Sequence, residues 1–163
     1  MYGVLVWPPE ALEVFLAGLQ AQLGVRGFGR PHLNLRQPFE WAYGEEALRR
    51  ALKGILRGHA PFRLRLGGWG SFPGVIYLKA SGGSAFRRLH RALEPLAPPL
   101  KEIEGPSYLP HFTLALDVPP ERMDELLSSL PPPPLGSFTV REVALVEDSG
   151  EDLKELARFA LAD

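Results

Sequence analysis

Two short stretches carry side chains suited to acid–base chemistry at neutral pH. The first is Pro31-His32-Leu33-Asn34-Leu35-Arg36 and the second is Pro110-His111-Phe112-Thr113-Leu114-Ala115-Leu116. Each reads Pro, His, apolar, small polar, Leu, and the two histidines lie 79 positions apart in a chain of 163 residues, about half its length. In a β-strand side chains alternate between faces, so residues i and i+2 share a face, with Cα atoms about 6.5–7 Å apart. His111 and Thr113 therefore look one way, while Phe112, Leu114 and Leu116 look the other way into a core. His32 and Asn34 repeat the layout.

Two such histidines suit paired acid–base work. One imidazole accepts a proton from the nucleophile while the other delivers one to the leaving group. The small polar side chain beside each histidine, Asn34 or Thr113, can hydrogen-bond a phosphoryl oxygen. Arg36, at i+4 from His32, falls on the same strand face and would add a cationic clamp. In-line displacement at phosphorus sets acid and base on opposite sides of the phosphate. Two strands from two lobes, facing across a cleft, supply that geometry and require no metal. Tyr108, just before the second motif, offers a ring that either stacks on a base or packs in the core.

The surrounding pattern must position these strands. Val4-Leu5-Val6-Trp7 reads as a short buried strand stopped by Pro8-Pro9. Leu12, Phe15, Leu16, Leu19 and Leu23 then mark an amphipathic helix ended by Gly24 and Gly27. The segment from Pro31 to Phe39 is predicted as the first motif strand, and Glu45 to Leu56 as a second helix. Phe62 to Leu66 alternates strictly, Gly67 to Gly74 reads as a turn, and Val75 to Ala80 completes a hairpin. A third helix spans Ser84 to Leu96, a Pro-rich connector 97–106, and a fourth helix Pro119 to Leu130, ended by Pro131 to Pro134. Phe138 to Val146 is predicted as one strand. Leu153 to Leu161 fits either a helical stripe or a strand. Each half thus sets a helix before and after its motif strand. That is the weak internal symmetry of a duplicated α+β unit, within a single domain spanning 1–163.

Composition bounds the rest. The hydrophobic fraction of 45% suits a folded globular chain. There is no cysteine, which excludes disulfides, zinc–thiolate sites and cysteine nucleophiles and fits a cytoplasmic location. No signal peptide and no membrane-spanning apolar run is read. Net charge is only −1, but residues 1–100 carry 13 Lys and Arg against 6 Asp and Glu, whereas 101–163 carry 5 against 13. Either one surface meets an anion or the two halves pair with each other. Asn34 is the only asparagine and Thr113 one of two threonines, a profile that suits a thermophile. His90, beside Arg88 and Arg91, reads as part of a polar helix face without a function; Trp69 reads as packing at the hairpin tip.

His32-Leu33-Asn34-Leu35 and Pro110-His111-Phe112-Thr113-Leu114 resemble the paired His-x-Thr/Ser motifs of the 2H phosphoesterase superfamily, which includes bacterial 2′-5′ RNA ligases and 2′,3′-cyclic phosphodiesterases. Phe62 to Leu78, Val143 to Val146 and Leu153 to Leu161 are similar to that family's central hairpin and closing strands. The resemblance implies an α+β fold of two pseudosymmetric lobes, each an antiparallel sheet with outer helices, around a cleft carrying both motifs. It makes 153–161 a strand. It maps the catalytic histidines to His32 and His111 and the phosphate-binding residues to Asn34 and Thr113, with Asn34 departing from the family's hydroxyl. It implies a metal-independent phosphoesterase without cofactor, acting as a monomer on RNA 3′ ends or cyclic-phosphate nucleotides, with 2′-5′ joining of RNA ends as a second activity and with no membrane partner. His111 is expected to activate water and His32 to protonate the leaving oxygen, with the exchanged roles as the alternative. The alternative is a noncatalytic module that binds an RNA end or nucleotide on the same fold.

Overall fold

Successive apolar residues in Tyr2–Val6 (β1) put Val4 and Val6 on one face of a sheet and Leu5 on the other. Both faces are covered there, and all three are buried. The structure, a computed structural model, describes residues 1–98 and 108–162. After β1 come α1 (Glu10–Leu23), β2 (Leu33–Asn34), α2 (Glu45–Leu56), β3 (Phe62–Phe72), β4 (Val75–Ser81) and α3 (Gly83–Ala92), followed by a 3-10 turn at Glu94–Leu96. Then follow β5 (His111–Ala115), α4 (Pro120–Ser129), β6 (Ser137–Val140), β7 (Glu142–Asp148) and β8 (Leu153–Ala160). The Pro-rich connector read at 97–106 lies, from residue 99 on, outside the described residues.

All eight strands pair antiparallel in the order β6-β3-β4-β5-β2-β1-β7-β8. The helices give one apolar stripe each to the main core: Leu12, Leu16 and Leu19 from α1, Leu48, Leu52 and Leu56 from α2, Phe86 and Leu89 from α3. Val4, Leu33, Leu64, Leu78, Phe112 and Leu145 meet them from the sheet. Each such side chain contributes about 1.5–3 kcal/mol relative to exposure. The opposite face is open except for a small cluster of Leu5, Ala144 and Val146. Among the described residues no helix is long and apolar enough to cross a membrane.

Four expectations change, and one ambiguity is resolved. The sheet in each of two lobes becomes one sheet, because the four-stranded halves are joined through the pairing of Leu33 with Phe112. The first motif strand shrinks from Pro31–Phe39 to Leu33–Asn34, with a separate bridge between Phe39 and Tyr2. The Gly67–Gly74 turn shrinks to Pro73-Gly74, where Gly74 takes φ 76°. Strand β3 runs through the glycines instead. Gly70 must stay a glycine, since a Cβ there would meet the Tyr77 ring at 2.7 Å.

The strand read at 138–146 is two, β6 and β7, broken at Arg141. Five strands lie between them in the sheet, but only one residue separates them in the chain. Only a curled sheet brings its ends that close. The ambiguous segment is strand β8, paired with β7 from Leu153 to Ala160. The register shifts between Leu145 and Val146, leaving Leu156 as an extra residue. This bulge puts Leu156 and Ala157 against the core together. Two consecutive inward residues are what made the segment look helical.

Candidate active site

The site is built where the two motif strands meet. Antiparallel pairing of Leu33 with Phe112 sets the register between β2 and β5. One step either way, His32 stands opposite Thr113 and Asn34 opposite His111. Leu33 and Phe112 are fully buried on the helix side, while the four polar residues are half-buried on the open side. The histidines occupy one diagonal of this square and Asn34 and Thr113 the other. Diagonal neighbours in an antiparallel pair lie about 7–8 Å apart, within reach of two imidazoles. Thus the structure brings together His32, His111, Asn34 and Thr113.

The same local bond holds each ring. His32 Nδ1 lies 2.7 Å from the Arg30 carbonyl oxygen, and His111 Nδ1 lies 2.8 Å from that of Leu109. A carbonyl only accepts, so Nδ1 must donate and therefore carries the proton. In a neutral ring Nε2 then keeps its lone pair. The residue before each histidine is a buried proline, Pro31 or Pro110. Its fixed φ stiffens the turn that brings the carbonyl two residues back under the ring.

Aromatic rings flank both histidines. Trp7 and Phe28 stand edge-on to His32 at centroid distances of 6.3 and 6.5 Å. Tyr77 lies 5.1 Å and Phe72 5.9 Å from His111. Phe72 stacks on Tyr77 yet remains 44% exposed. Burial is the main cause that holds the His32 pKa below its ordinary value, and the nearby His111 adds to the lowering. The Arg30 carbonyl and the Asp148 carboxylate work against it. Among the described residues, no group of three His, Cys, Asp or Glu side chains is placed to hold a metal ion.

Two expected site residues lie elsewhere. Arg36 does not reach the open face. Strand β2 ends at Asn34, alternation stops, and Leu35 and Arg36 are both buried. The guanidinium instead donates to the carbonyls of Leu93 at 2.9 Å, Ala97 at 3.1 Å and Glu94 at 3.4 Å, at the end of α3 and the 3-10 turn. Tyr108 takes the second of its two readings and packs in the core. It is 9% exposed, lies flat on His90 at 4.4 Å, and its hydroxyl donates to the Asn34 backbone oxygen at 3.0 Å. His90 is likewise no member of a polar face. It is buried against Phe86 and Tyr108, with Nδ1 2.6 Å from the Leu35 carbonyl oxygen. Tyr108 and His90 hold the backbone of the first motif from behind. Trp69 packs as expected, stacking on Phe15 and donating to the Pro131 carbonyl at 2.8 Å.

Reasoning from sequence missed Trp7, Phe28, Phe72 and Tyr77. Alternation in Val75–Ala80 places Tyr77 and Lys79 on one face. Only the pairing of β4 with β5 shows that this is the face of Thr113 and His111.

The model of the 2′-5′ RNA ligase superfamily matches residues 8–152. No curated protein matches the sequence. The chain is similar to the crystal structure of TT0787 of Thermus thermophilus, with 27% identity, a TM-score of 0.65 and coverage of 98% and 97% of the two chains. It is also similar to a structure described as a phosphoesterase, at 22% identity and a TM-score of 0.68 over 99% and 98%. E. coli LigT, solved with NADP+, gives 21% identity and a TM-score of 0.72 over 99% and 98%. The last two likenesses concern the fold alone. A family match spanning both motif strands and the sheet between them places this chain in the 2′-5′ RNA ligase superfamily of 2H phosphoesterases.

Proposed function

We propose that the protein is a metal-independent phosphoesterase that opens 2′,3′-cyclic phosphates at RNA 3′ ends or on related nucleotides, with 2′-5′ joining as the same ring opening when a 5′-hydroxyl takes the place of water. One observation carries the reading. Two histidines of fixed tautomer lie on a diagonal of the open sheet face, with a hydrogen-bond donor beside each. A phosphate seated between the rings would receive the Thr113 hydroxyl and the Asn34 amide on its non-bridging oxygens. Neutral His32 takes a proton from water at Nε2 as the water oxygen bonds to phosphorus. The bond from phosphorus to one ribose oxygen breaks, and the His111 imidazolium gives that oxygen its proton. Proton exchange with solvent resets the pair. This is the second of the two assignments the motifs allow, and it is favoured because burial favours the neutral form of His32. Phe72, exposed at the edge of His111, offers the base a ring to stack on. LigT structures were also solved with 3′-AMP and with ATP, in keeping with a nucleotide ligand for this fold.

The test is hydrolysis of a 2′,3′-cyclic nucleotide in EDTA. Turnover by wild type that vanishes in the double His32→Ala, His111→Ala variant supports the reading. Binding of an RNA end without turnover, with activity appearing in Asn34→Thr, would instead establish the noncatalytic module.

A pH dependence follows from the His32 environment. A base must be neutral, so kcat/KM should rise with pH through a value below the ordinary histidine pKa of about 6.5. Asp148 favours the charged form, so Asp148→Asn should move this rising limb to still lower pH. A limb above 6.5, or one that Asp148→Asn moves upward, would return the role of base to His111.

A further inference from the structure

The open face of the sheet is chemically divided at the histidine pair. Lys79 stands directly opposite His111. One strand further out, Arg65 stands opposite Ser81 and Arg63 opposite Thr139. Residues two apart share a face, so Lys79 and Ser81 place Lys79, Arg65 and Arg63 on the side of His111. All three are exposed, and none makes an ion pair among the described residues. Besides these cations, β6, β3, β4 and β5 present on this face only uncharged residues and His111, among them Ser137, Thr139, Ser81, Phe72 and Tyr77, and no carboxylate. Gly67 sits against Lys79, where a Cβ would come within 3.3 Å of the lysine Cβ, and nothing lies over Gly68. On its β3 side the strip therefore has no side chain beside Lys79 to hold a ligand backbone away.

Across the histidines the same face is apolar and acidic. Leu5, Ala144 and Val146 form its floor. Glu142, Asp148 and Glu155 line it by their pairing positions in β7 and β8. Two arginines there are already engaged: Arg158 pairs with Glu142 and Glu155, and Arg30 with Glu13. A polyanion that ends between the histidines is attracted on one side and repelled on the other.

We infer that Lys79, Arg65 and Arg63 form a track for the sugar-phosphate backbone of a single-stranded RNA whose 3′ end lies between His32 and His111. This rests on the proposed phosphoesterase reading and adds to it that the substrate is a strand, entering over β3 and β4. From His111 the track extends about 10 Å across two strand spacings and about 14 Å along β3, room for a few nucleotides. Each cation takes one phosphate as a charge-assisted contact. Such contacts fix position without reading sequence, so the track is indifferent to base identity.

The experiment compares kcat/KM for a short single-stranded RNA ending in a 2′,3′-cyclic phosphate with that for a 2′,3′-cyclic mononucleotide. Wild type should prefer the strand, and Arg63→Gln/Arg65→Gln/Lys79→Gln should lower the ratio at least about tenfold. In anisotropy measurements a fluorescent RNA of the same length should bind with a steep salt dependence. Single-stranded contacts contribute about 0.7 each to that slope, so the triple variant should flatten it by about 2. A ratio unmoved by the triple variant, with the mononucleotide still hydrolysed, overturns the track and leaves the phosphoesterase standing. Salt-dependent RNA binding lost in the triple variant, in a wild type that turns over neither substrate, supports the track and removes the phosphoesterase reading. Arg65→Glu alone, with its melting temperature checked, should shift the ratio the same way. Equal losses on both substrates would show that the cations act on the reacting phosphate and not on a strand.

Discussion

Alanine at His111 is expected to lower the rate of cyclic-phosphate opening by about 10²–10⁴-fold, and alanine at His32 by a similar factor. Both side chains are half-buried on the open face, while the packing beneath them belongs to Leu33 and Phe112. Neither truncation empties the core, so the melting temperature should stay within a few degrees. The double variant should fall little below the worse single one, because the two groups act in one transition state. The roles separate by leaving group. A substrate whose leaving oxygen needs no proton, such as a nitrophenyl phosphodiester, should recover much of the rate in His111→Ala. It should recover none in His32→Ala, where the nucleophile still lacks its base. Recovery in His32→Ala alone would exchange acid and base. Full activity in either single variant would end the two-histidine mechanism.

Arg36→Ala should cost stability. Its buried guanidinium donates to the carbonyls of Leu93, Ala97 and Glu94, where α3 and the following turn run out of helical partners. Hydrogen bonds from a charged donor contribute about 1.5–3 kcal/mol each when the alternative is an unsatisfied buried acceptor. These bonds share one nitrogen, so the expected loss is about 3–5 kcal/mol rather than their sum. For a domain of this size that lowers the melting temperature by roughly 8–15 °C, read by circular dichroism. Arg36 lies two residues past Asn34, so the damage should reach the site as a higher KM as well. A loss below about 1 kcal/mol would show that water serves those carbonyls as well as the arginine does. An Arg36 that clamped substrate would do the reverse, lowering activity at unchanged stability.

The contrast between these residues shows what was legible in the chain. His32, Asn34, His111 and Thr113 could be paired from sequence because the signal is local. Two residues apart on a strand share a face whatever the strand packs against. The helices α1, α2 and α4 were legible for a similar reason, since a stripe at helical spacing depends only on its own segment. The expectation for Arg36 failed because it assumed that a strand of two residues continued to a fifth position. Nothing local states where pairing stops. For Tyr108 the sequence leaves two readings open, and for His90 the expected polar face gives way, because their partners lie far along the chain: Tyr108 bonds to the Asn34 backbone, 74 positions away, and His90 to the Leu35 backbone, 55 away.

Other features exist only in the folded sheet. The bulge at Leu156 gives β8 two inward neighbours, which in sequence is indistinguishable from a helical stripe. The break at Arg141 depends on the sheet curling until its far strands meet the same turn of chain. By itself, then, the sequence determined which four polar residues share the open side of two buried strands, and the family to which their motifs belong. Tertiary structure alone decided that those strands are neighbours, that their register crosses the histidines on a diagonal, and that the cations lie beside His111 while Arg36 lies within the core. The physical reason is that face alternation is set by bonds along the chain, whereas register and neighbourhood are set by hydrogen bonds between segments far apart in it.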